Sequence, residues 1–156
     1  SAEGAFTFGL FNECGIPIMA QRFADYRATW QSASDAECSL VELERTRYQV
    51  THAQVGSVLA RSWQLPDLVC DAVRDHHDLE RFFGRGETGQ GDIAALSAIS
   101  LIADYVVNDF LGTSQDAEWL RYGEQVLDYL GLDHDELEES QTDILGDLQE
   151  AQAYRS

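Results

Sequence analysis

Lysine does not occur anywhere in the 156 residues, and the ten basic side chains, all arginines, face 28 acids, for a net charge of −18. A chain this acidic repels phosphate backbones and anionic lipid, which argues against nucleic acid and membrane surfaces as partners. Cysteine is scarce as well: Cys14, Cys38 and Cys70 are far apart, odd in number and never form a CxxC pair. That excludes a zinc ribbon and a disulfide framework, and it suits small thiols in a reducing cytoplasm. Long hydrophobic runs are also missing. The longest, Ile93 to Val107, is interrupted by Ser97, Ser100 and Asp104, so a core helix is expected there and not a membrane span. The first ten residues carry no basic stretch and do not read as a secretory signal. No strand-like alternation competes with helical periodicity.

What remains is helix. The length suits one domain with a single core. Ala2 to Cys14 reads as a short apolar helix stopped by Gly15, after which Pro17 opens "IMAQRFADYRATW". Ser39 with Glu42 forms a capping box for "SLVELERTRYQV". Thr51 caps the next helix, marked by Val55, Val58 and Leu59 at helical spacing. "QLPD" breaks it, and Pro66 starts another that runs toward His76. "GRGETGQG", residues 84–91, lacks the lysine and the strand-to-helix setting of a phosphate cradle and reads as a linker. Asp92 caps a long helix to Leu111 that Gly112 ends; two acidic helices follow, roughly 116–130 and 134–153. From Thr113 to Ser156 twelve acids stand against two arginines, which suits a solvated face or a docking face for a basic partner. Trp30, Trp63 and Trp119 are expected in the core. The expected fold is all-α, with residues 113–156 packed on a domain formed by 1–112.

The informative residues are polar ones in apolar helical context. His52 opens a helix four residues before Gly56, a glycine that permits close packing at about 1 kcal/mol of helix propensity. His76 and His77 end the next helix, where the helix dipole favours a protonated imidazole by roughly 0.3–1 kcal/mol. Asp104 interrupts "ISLIADYVV" and needs a partner or a cavity, because burying a lone carboxylate is expensive. Two histidines and an aspartate from three helices suffice for a metal half-site or for a hydrogen-bonded structural cluster. Arg74 and Arg81 flank the His-His pair and read as surface pairing residues.

Three stretches, "FGLFNECGIPIMAQRFADYRATW", "THAQVGSVLARSWQLPDLVCDAVRDHHDLE" and "LSAISLIADYVV", together resemble the HDOD family, the HD-related output domains of bacterial signalling proteins. The family's Gly-Leu-Leu-His-Asp-Ile-Gly segment falls on Gly9 to Gly15. Its His-x-x-Val-Gly-x-x-Leu-x-x-x-Trp-x-Leu-Pro segment falls on His52 through Pro66, its His-His pair on His76 and His77, and its Ala-Asp on Ala103 and Asp104. The resemblance implies a helical bundle of the HD-domain type. The family carries roughly a hundred helical residues before the first segment, whereas about eight precede it in this chain, so the resemblance implies either a fragment, which is the favoured expectation, or a missing half supplied by something else.

One departure bears on chemistry. Where catalytic HD phosphohydrolases carry His-Asp, this chain has Asn12-Glu13. The resemblance therefore implies a remnant centre of Glu13, His52, His76, His77 and Asp104 with no catalytic residue. It implies a cytoplasmic signalling module that works through contacts with other signalling proteins, a homo-oligomer remaining open. No cofactor is expected beyond a divalent metal at the remnant. The competing expectation is a divergent metal-dependent phosphohydrolase acting on a nucleotide or cyclic dinucleotide, with Glu13 as a substitute ligand. A third is a sensor that keeps the old cavity for a nucleotide without cleaving it.

Overall fold

The Thr51 hydroxyl accepts from the Gln54 N–H at 3.2 Å, and the Gln54 side chain accepts from the Thr51 N–H at 3.0 Å, so a reciprocal cap fixes where the central helix begins. In the computed structural model, which describes residues 1–35, 38–84, 91–113 and 116–153, this helix is one of ten, with no strand among the described residues. They are α1 (Ala2–Phe11), α2 (Ile16–Arg22), α3 (Tyr26–Asp35), α4 (Leu40–Tyr48) and α5 (His52–Ser62). The second half adds α6 (Asp67–Asp75), α7 (Leu79–Phe83), α8 (Asp92–Leu111), α9 (Ala117–Leu130) and α10 (His134–Ala153). The fold is an all-α bundle. Most of the "GRGETGQG" linker lies outside the described residues.

Local chemistry sets the breaks. The expected helix Ala2–Cys14 stops at Phe11, and residues 12–15 form a turn instead. The helix expected from Pro17 through Trp30 is two helices, parted at Phe23, whose extended backbone (φ −117°, ψ 112°) cannot continue α2. Glu42 accepts from the Ser39 N–H at 2.8 Å and starts α4. Gln64, at φ 60°, turns the chain out of α5, and Pro66 precedes α6.

Two apolar clusters hold the bundle. Phe8, Val69, Ala72, Val73 and Leu96 join α1, α6 and α8. Leu79, Phe82, Phe83, Ala94, Ala98, Leu101, Tyr122 and Val126 join α7, α8 and α9. By length and composition α8 could cross a membrane; it packs against α1, α6 and α9 and buries Ala94, Leu96, Ser97, Ala98, Ser100, Leu101 and Val106. Ile99, Val107 and Leu111 on α8, and Phe6 and Leu10 on α1, remain exposed.

The central pair, α5 on α6, packs through small residues. Buried on α5 are His52, Ala53, Gly56, Ser57 and Ala60. The stripe that marks this helix in the sequence faces away: Val58 is 71% exposed, and with Ile18, Val50, Val55 and Leu59 it lines a groove of about 620 Å³. Trp63 and Trp30 are likewise not core anchors, being 50% and 44% exposed; Trp63 leans on Phe11 at the surface, with ring centroids 5.4 Å apart. Trp119 is half-buried and stacks on Tyr105.

Small residues win on α5 because the 12–15 turn lies against its backbone. A Cβ on Gly15 would stand 2.0 Å from the His52 carbonyl oxygen and 2.8 Å from the Gly56 nitrogen. Gly9, by contrast, has nothing within 4 Å of such an atom. In urea denaturation Gly15→Ala should lose about 3 kcal/mol or more, the upper end for overpacking, because backbone must move. Gly9→Ala should gain up to about 1 kcal/mol of helix propensity. Equal effects at the two positions would contradict this account.

Candidate metal centre

Two helix ends and one turn converge beside that contact. Glu13 lies in the 12–15 turn, His52 is the first residue of α5, and His76 and His77 close α6. His52 Nε2 is 3.1 Å from His77 Nε2 and 3.3 Å from Glu13 Oε2. Glu13 Oε1 is 3.3 Å from His76 Nε2 and 3.9 Å from His77 Nε2. One donor atom from each of the four residues lies within 4.8 Å of all the others. Of the five residues singled out in the sequence, these four come together.

Asp104 is not one of the four. Among the described residues it has neither an ion pair nor a hydrogen bond, so the partner expected for it is not found. Burial, with the negative charge of Glu13 second, raises its carboxyl to about 7. Asn12 also turns away, donating from Nδ2 to Ser100 Oγ at 3.1 Å.

The opposite ring nitrogens are all occupied. His52 Nδ1 meets both Glu44 oxygens at 2.9 and 3.0 Å. His76 Nδ1 donates to the Val73 carbonyl at 2.8 Å, and His77 Nδ1 lies 2.7 Å from Glu118 Oε2. With Nδ1 donating, a neutral ring points its Nε2 lone pair at the common centre and a protonated ring points its second N–H there. Two such lone pairs facing each other at 3.1 Å repel unless a cation, a proton or a metal ion, stands with them.

Glu44 and Glu118 did not stand out from sequence patterns. Glu44 is fully buried on α4; besides the imidazole it accepts from the His52 N–H at 3.0 Å and from the Tyr26 hydroxyl. Glu118 is buried on α9. The signal was available: Glu44 falls three residues after buried Val41, and Glu118 four and eight before buried Tyr122 and Val126. An acid on an apolar helical stripe demands a partner.

Electrostatics follows the geometry. Burial alone would raise Glu13, yet the hydrogen bond from His76 and the charges of His52, His76 and His77 hold it down at about 2. His76, which burial would lower, is raised by its bond to Glu13, by Glu13's charge and by the Val73 carbonyl. Burial and then the neighbouring imidazoles push His77 well below the ordinary range. Glu118 is raised to about 7 by burial. His76 is thus favoured in its protonated form beside an ionised Glu13, and His77 in its neutral form.

The donor set suits a borderline divalent ion such as zinc. Two donors each about 2.0–2.2 Å from one ion stand roughly 3–3.5 Å apart, close to the separations found. The partners on the far side of each ring are those that orient metal-bound histidines.

Fold and site define a small helical domain built around a histidine–carboxylate centre. The HDOD domain family model matches residues 1–79, and the chain belongs to that family. No curated protein and no solved structure matches it.

Glu44→Ala should destabilise the fold by about 3–5 kcal/mol, since it strands a buried imidazole and the Tyr26 hydroxyl together. For Asp104 the folded state binds a proton that the unfolded chain releases near 3.8, so stability is lost as pH rises from there to about 7. Asp104→Asn should therefore stabilise the protein more at pH 8 than at pH 5; a gain independent of pH in chemical denaturation would contradict the assignment.

Proposed function

We propose that this protein is a non-hydrolytic HDOD signalling module that holds one divalent transition-metal ion on Glu13, His52, His76 and His77. The convergence of three Nε2 atoms on one carboxylate, each ring anchored through Nδ1, carries the reading. Four protein donors fill the coordination shell of a structural zinc-type site; a hydrolytic site keeps a position open for water. A bound ion would neutralise this cluster and tie α5, α6 and the 12–15 turn together.

Phosphate recognition fits less well. Arg74 is paired with Asp71 at 3.0 Å and with Asp75 at 2.6 Å. Arg81 lies near Asp75 and Asp78, and Arg121 near Glu42. The arginines around the centre are committed to neighbouring acids, which leaves a nucleotide substrate little to bind. Output would then run through protein contacts, and the acidic C-terminal helices suit a basic partner.

Untagged protein stripped with chelator and titrated with zinc should bind one ion per chain, more tightly at pH 8 than at pH 6, because the metal displaces the proton that Glu13 favours on His76. His52→Ala and His76→Ala should abolish binding, and neither parent nor variants should hydrolyse phosphodiesters. Metal-dependent turnover lost in the His76 variant would sink the non-hydrolytic reading. Failure of the chelator-stripped parent to bind zinc would sink the metal site itself.

A further inference from the structure

We propose that Glu118 is a positioning residue for this centre, so that metal binding and the seating of α9 on the domain are coupled; the inference rests on the metal-site reading above. The three imidazoles are not anchored alike. His76 leans on a carbonyl of its own helix and His52 on Glu44 from the neighbouring α4. His77 alone is oriented from the second half of the chain: Glu118 reaches it from α9, beyond the family-matched residues 1–79. Glu118 is itself held. Its side chain is buried, and the Asp116 carboxylate caps its N–H at 2.7 Å. Tyr122, one turn on, donates to Glu80 at 2.8 Å.

The consequence is reciprocal. While α9 is seated, the Glu118 oxygen fixes the His77 ring with Nε2 toward His52 and Glu13. If α9 lifts away, His77, the most exposed of the three rings, loses its only hydrogen-bonded anchor on the Nδ1 side among the described residues. An ion that fixes His77 must then favour seated α9 by the same factor by which seated α9 favours the ion. Because α9 leads through Gly131 into acidic α10, ion occupancy would reach the surface most distinct in charge.

The test compares zinc affinity, by competition with a chromophoric chelator, in the parent, Glu118→Ala, Glu118→Asp and Glu80→Gln proteins, alongside amide hydrogen exchange of α9 with and without zinc. Removing a carboxylate that orients a metal-bound histidine typically costs 10–100-fold in affinity, and Glu118→Ala should fall about that far. Glu118→Asp should recover part of the loss. Glu80→Gln still offers Tyr122 an acceptor and does not touch His77, so α9 stays seated and affinity should be unchanged. Zinc should slow exchange along α9 in the parent but not in Glu118→Ala. Equal affinities in folded parent and Glu118→Ala, an equal loss in Glu80→Gln, or α9 exchange indifferent to zinc would each overturn the coupling while leaving the metal site intact. A parent that binds no zinc removes both.

Discussion

An imidazole can be buried beside two others only if the electrostatics on both of its ring nitrogens is settled. On one side of each ring this chain supplies a fixed acceptor: Glu44, the Val73 carbonyl or Glu118. On the other side the Nε2 atoms share Glu13. The two sides are not independent. Fixing the Nδ1 protons decides that the Nε2 lone pairs meet, and their meeting requires a carboxylate plus a cation. Much of the fold serves this arrangement. α3 and α4 bring Tyr26 and Glu44, α9 brings Glu118, and the α5–α6 pair holds the rings in place.

Backbone contact makes it achievable. Glu13 reaches three imidazoles because Gly15 lets its turn lie directly on the first turn of α5, and Gly56 leaves room for Cys14 and Val73 one turn later. A larger residue at either position would lift the turn away. The carboxylate of Glu13 would move with it, and the three rings would be left with mutual repulsion and no shared acceptor. Packing and electrostatics are therefore one problem in this region.

That coupling explains which features the sequence disclosed. Helix starts were legible at Thr51, Ser39 and Pro66 because caps act through near neighbours. His52, His76 and His77 stood out as polar residues in apolar surroundings, and Glu13 through the family resemblance. Asp104 stood out for the same reason as the histidines, yet the structure leaves it outside the cluster, its carboxyl raised by burial to about 7. Glu44 and Glu118 were missed because in a chain with 28 acids one more glutamate on a helix looks like solvated surface. Only their place on apolar stripes distinguishes them. The outward turn of Val55, Val58 and Leu59 was illegible for a related reason. Periodicity finds the helix, but which face is buried depends on what packs there, and a glycine turn selects the small face.

The substitution of Asn12-Glu13 for His-Asp reads differently once the site is seen. Asparagine withdraws to Ser100 and takes no part. Glutamate, one methylene longer than aspartate, spans the gap from the turn to all three rings and accepts from His76. Against the His-Asp pair of the catalytic relatives that the chain resembles, position 12 offers no imidazole for a second ion or an attacking water. What the chain keeps is a self-contained set of three imidazoles and one carboxylate. With an ion bound as proposed, such a set would leave it little room to do chemistry, which is the balance suited to sensing or structural locking.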